Sequence, residues 1–89
     1  MGDGELRKKA ESGARAASFL SDPIFGEAVS AARAKYLNII LGVEGRDKEI
    51  REEAYFRLDA IDDVVSVIKE MAVEGDRAAN ELKQLEERK

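Results

Sequence analysis

Acidic side chains recur at helical spacing in the second half of this 89-residue chain: Glu49 with Glu52 and Glu53, and Asp59 with Asp62 and Asp63. Residues three or four apart share one face of a helix, and carboxylate oxygens gathered there suit a hard cation such as magnesium. A magnesium-dependent nucleotide hydrolase would draw its ligands from Glu49, Glu52, Asp59 and Asp62. Geometry works against it: Glu49 and Asp59 lie ten residues apart on one helix, nearly a quarter turn out of line. A straight helix cannot wrap carboxylates round an ion, so a second chain would have to complete the cluster. The plainer reading is a solvated acidic face, interspersed with Lys48, Arg51 and Arg57 and steadied by a Glu53 to Arg57 pair. We adopt that reading, which implies no catalytic residue, no metal and no cofactor.

The carboxylate spacing is similar to the paired E-x-x-E and E-x-x-D elements of all-helical nucleotide pyrophosphatases. In that family the two elements sit on separate, facing helices, and here they share one. Other chemistries lack their side chains. The chain has neither cysteine nor histidine, which removes disulfides, thiolate nucleophiles, zinc fingers and imidazole acid-base catalysis. Ser12, Ser18, Ser21, Ser30 and Ser66 have no activating base at recognisable spacing, and no glycine-rich phosphate loop occurs. The expectation is a protein that is not an enzyme.

Two further constellations concern binding. Arg7, Lys8, Lys9 and Arg15 could present a positive helix face to nucleic acid or an anionic ligand. Glu5 and Glu11 interrupt that face, and no aromatic is interleaved for base stacking, so a solvated helix surface is the better reading. Arg33, Tyr36, Arg51 and Tyr55 flank the turn between two helices. Together they could stack a base and hold phosphates in a pocket between helices or subunits. Aromatics at such positions are more often the rim of a core.

The elements that position these residues are set by a few strong stops. Ser21-Asp22-Pro23 ends one apolar pattern and opens another, with Asp22 as N-cap and Pro23 in the first helical turn. Gly42 with Gly45, and later Gly75, read as helix ends. Four helices follow, at roughly 4–20, 23–41, 47–74 and 76–88. The first carries a thin stripe of Leu6, Ala10, Gly13, Ala14, Ala17 and Leu20. The second repeats Phe25, Ala28, Ala32, Tyr36, Ile39 and Val43.

The third is the most regular, with Ala54, Leu58, Ile61, Val65, Ile68 and Ala72 at alternating spacings of four and three. A second stripe of Ala60, Val64, Val67 and Met71 runs beside it, making the apolar arc too wide for one partner helix. Leu58, Ala60, Ile61, Val64, Val67, Ile68 and Met71 are therefore the candidate interface. Asp76 can cap the last helix after Gly75. The strings Val43-Glu44-Gly45-Arg46-Asp47 and Val73-Glu74-Gly75-Asp76-Arg77 look alike and read as two helix stops of similar build. No strand pattern competes.

The fold class is all-α: a single domain over 1–89, a small bundle of three main helices plus a short C-terminal helix, completed by self-association. A chain this short buries only roughly 60 to 65% of its unfolded surface and gains from a partner. Thirteen alanines add little buried area each. The net charge of -4 argues against a phosphate-gripping protein. From Asp47 to Glu74, four basic side chains face nine acidic ones, so the acidity belongs to that segment. No apolar run approaches the ~18 residues that span a bilayer, and the first residues lack a signal peptide's order, so a cytosolic setting is expected.

The stretch Ala17-Ser18-Phe19-Leu20-Ser21-Asp22-Pro23-Ile24-Phe25-Gly26-Glu27-Ala28, with Arg51-Glu52-Glu53-Ala54-Tyr55-Phe56-Arg57-Leu58-Asp59-Ala60-Ile61 further on, resembles small all-helical proteins of tailed bacteriophages. That resemblance implies a host-cytoplasmic or virion setting, in which such oligomers act as virion or assembly accessories or block host factors. It carries no active residues. Packaging subunits of that setting generally hold a helix-turn-helix, and this chain lacks a basic recognition face.

The leading expectation is a self-associating interaction protein with itself and another protein as partners; nucleic acid and membrane are not expected partners. The alternative is a phage-type protein sequestering a nucleotide-like signal between subunits, and the third is the magnesium-dependent hydrolase.

Overall fold

A computed structural model describes residues 2–88. Three α-helices account for nearly all of them: α1 (Asp3–Ser21), α2 (Pro23–Leu41) and α3 (Lys48–Glu87), with one 3-10 turn at Val43–Arg46. No strand occurs among the described residues, so the chain is all-α.

The stops around α2 work as their chemistry requires. Asp22 holds an extended backbone, and its carboxylate accepts from the Ile24 amide at 2.8 Å, while Pro23 fills the first helical position without needing a donor. Gly42 is also extended (φ -89°, ψ -172°) and donates its amide to the Asn38 carbonyl at 2.9 Å. The helix therefore ends without the left-handed residue expected there; no described glycine has a positive φ. Gly45 is needed for space instead, because a Cβ there would run into the Ile40 carbonyl oxygen. Asp47 caps the next helix through bonds from the Glu49 and Ile50 amides at 3.0 and 3.3 Å, so α3 begins at Lys48.

The expected break at Gly75 does not occur. α3 runs unbroken for 40 residues, and the separate C-terminal helix at 76–88 is its continuation. Glycine in a helix interior costs about 1 kcal/mol relative to alanine, so its presence calls for a tertiary reason. The reason lies in the packing of α1.

The contacts form two compact units, residues 1–21 with 67–89, and residues 22–66. In the first, α1 lies against the C-terminal part of α3 with Gly13 and Gly75 in contact. A Cβ on Gly13 would collide with the Gly75 Cα and lie 2.9 Å from the Met71 carbonyl oxygen; one on Gly75 would collide with the Gly13 Cα and lie 3.1 Å from the Lys9 carbonyl oxygen. Both glycines are buried, together with Leu6, Ala16 and Ala78; Ala10, Leu20, Ile68, Ala72 and Leu82 are half-buried. On both helices these positions fall at -7, -3, 0, +3 and +7 from the glycine. The expected α1 stripe is corrected accordingly: Ala16 is inside, and Ala14 and Ala17 are exposed.

The second unit is an antiparallel hairpin of α2 and the first part of α3. Phe25, Val29, Ala32, Tyr36 and Ile39 are half-buried on α2, opposite buried Ala54 and Leu58 and half-buried Ile61 and Val65. Ala28 and Val43, expected in the α2 stripe, are exposed. Arg33 pairs with Asp62 across the hairpin, and Arg51 donates to the Gly45 carbonyl at 2.9 Å, tying α3 to the turn.

The glycine contact makes a direct prediction. Gly→Ala in an open helix position stabilises by about 0.5 to 1 kcal/mol, and Gly26, with nothing within 4 Å of a Cβ, should show that gain. Gly13→Ala and Gly75→Ala should instead lose about 1 to 3 kcal/mol, as overpacked sites do. Urea unfolding of the three variants measures the contrast; equal gains at all three would remove the contact.

Candidate interaction surface

α3 separates the expected interface into two groups. Leu58 is buried at 8% exposure, and Ile61 and Ile68 are half-buried, with Ile61 also lining the apolar cleft of the hairpin unit. Ala60, Val64, Val67 and Met71 are exposed. The division follows the two stripes: the first is the more buried, and the second is the more exposed.

In the hairpin unit, Ala60 and Val64 line an apolar cleft of about 380 Å³ with Ala28, Val29, Ala32 and Val65. Phe56, one helical turn before Ala60, is 73% exposed. Sequence reading passed over it, although its four-residue spacing to Ala60 was the signal. In the other unit, Val67 and Met71 lie in a groove of about 540 Å³ between α3 and α1. Lys8 and Lys9 border it from α1, and Glu70 and Glu74 from α3. Of the basic positions singled out on α1, Lys8 and Lys9 therefore share this groove with acidic side chains.

Among the candidate ligand residues, Tyr36 borders a cleft that Arg33, Arg51 and Tyr55 do not line. Arg33 pairs with Asp62, and one guanidinium N–H of Arg51 donates to the Gly45 carbonyl. Tyr36 lies under Lys35 and Arg57, 5.6 and 6.0 Å from its ring centre. Tyr55 is exposed and does not line the cleft of about 330 Å³ that Tyr36 borders. Glu53 borders that cleft as well, and its Oε1 accepts from Arg57 Nη2 and Nε at 2.7 and 3.1 Å. The Glu53 hydrogen bond, and then that of Tyr36, hold Arg57 above its ordinary pKa, so the guanidinium stays charged beside its own carboxylate.

The helical carboxylates are likewise distributed. Glu53 serves Arg57, Glu52 lies 3.9 Å from Lys48, and Asp62 serves Arg33. Among the described residues no three acidic groups gather where a metal ion could be held. No described helix is long and apolar enough to cross a membrane.

Millimolar magnesium and a panel of mono- and cyclic nucleotides should leave the melting temperature unmoved, whereas a bound ligand at a hundred times its dissociation constant would add about 2.7 kcal/mol. Glu52→Gln should be as stable as the parent. Asp62→Asn should lose up to about 1 kcal/mol, since its pair with Arg33 is only half-exposed on each side. Calorimetric melting of the parent with and without metal and nucleotides, and of the two variants, checks each of these. Comparison with protein families, with characterised proteins and with solved structures found no match.

Proposed function

We propose that this chain is a non-enzymatic helical interaction protein that associates with itself and presents the resulting assembly to a macromolecular partner. One observation carries the reading: the second apolar stripe of α3 remains exposed within each unit, with Val64 at 59% in the hairpin unit and Val67 at 52% and Met71 at 44% in the other. Single exposed apolar residues are ordinary; a set recurring at three- and four-residue spacing beside a buried stripe marks an interaction face. Fully covering a valine- or methionine-sized side chain contributes about 1.5 to 3 kcal/mol, before the cost of association is subtracted. In the phage setting that the sequence resembles, such an assembly would serve as a virion or assembly accessory or as a blocker of a host factor.

Light scattering at micromolar concentration tests self-association, with an oligomer expected. Because Val64 and Val67 are exposed, Val64→Glu with Val67→Glu should leave helicity by circular dichroism intact and lower the assembled mass. A parent that remains monomeric throughout the concentration range would overturn the reading. Loss of helicity in the double variant would show that these positions are core.

A further inference from the structure

The groove between α1 and α3 is asymmetric in charge, and that asymmetry identifies its occupant. Lys8 and Lys9 border it on the α1 side, with Glu5 leaving one net positive charge there; Glu70 and Glu74 border the α3 side. Among the described residues Lys8, Lys9 and Glu70 have no ion pair within the chain, and Glu74 meets only Arg77, at 3.1 Å on its own helix. Between the charges lie exposed Val67 and Met71. A surface positive on one side and negative on the other is complementary to its own copy, turned about a two-fold axis along the boundary.

We propose that this groove is the seat of a two-fold contact with a second copy, in which Lys8 and Lys9 of each chain lie on Glu70 and Glu74 of the other. The lysine stems cover Val67 and Met71 of the opposing copy while the ammonium groups reach the glutamates, the arrangement that long cationic side chains favour over apolar surface. The opposite choice of axis sets lysine on lysine and glutamate on glutamate, which like-charge repulsion disfavours. Charge thus selects one register from two. This proposal rests on the self-association already inferred and assigns it a surface.

Charge reversal in trans tests it. The full-length parent, Lys8→Glu with Lys9→Glu, and Glu70→Lys with Glu74→Lys are compared by sedimentation equilibrium, with circular dichroism confirming that each remains helical. Each variant alone should self-associate more weakly than the parent by on the order of tenfold or more. An equimolar mixture of the two should reassemble, since every contact then joins opposite charges. Lys8→Gln with Lys9→Gln, a milder change, should weaken association in the same direction and lessen its dependence on salt. A parent that associates while the charge variants associate as strongly would overturn this register and leave self-association intact. A mixture of helical variants that fails to assemble would also overturn it, and a monomeric parent would overturn self-association itself.

Discussion

Two missing side chains govern the unit built from α1 and α3. Gly13 and Gly75 face each other with no atom between their backbones, and every other seam position is placed by that approach. Alanines at three residues to either side fit because the helices are near; leucine or isoleucine at seven fills the space where the helical surfaces curve apart. Neither class of residue would suit the seam if the glycines were larger. Leu6, at 1% exposure, is the most enclosed large side chain among the described residues.

The seam also determines what is left over. Small residues on α1 cover only a narrow strip of α3, so the long helix keeps a second apolar face that α1 borders but leaves exposed. In the hairpin unit the result is similar from a different cause: α2 has no fully buried residue, and Ala60, Val64 and Phe56 remain in water on α3. A thin internal core and a generous external apolar surface are two results of one composition, rich in alanine and poor in large aromatics.

Much of this was legible in the residue order, and the errors have a common origin. Asp22-Pro23 fixes α2 through local chemistry that tertiary structure does not override, and Pro23–Leu41 is where the pattern places it. Ala54, Leu58, Ile61 and Val65 identify the inner face of α3 for the same reason. Gly75 misleads because glycine has two uses: it ends helices by adopting conformations closed to other residues, and it admits another backbone. Local sequence favours the first use, and only the string A-x-x-G-x-R-A-A-x-x-L, present from Ala10 to Leu20 and again from Ala72 to Leu82, marks the second. Spacing does not reveal the contacts made by the candidate ligand residues: Arg33 pairs with Asp62 and Arg51 donates to the Gly45 carbonyl, links set by the way α2 and α3 pack.

The paired glycines also constrain how this sequence can change over generations. In most packed cores a residue that grows can be accommodated by a neighbour that shrinks, and drift proceeds through such exchanges. Opposite Gly13 stands a residue that cannot shrink, and the same holds opposite Gly75. No reciprocal substitution exists, so either position can vary only if the two helices separate and the whole ladder of alanines and leucines is rebuilt around a wider spacing.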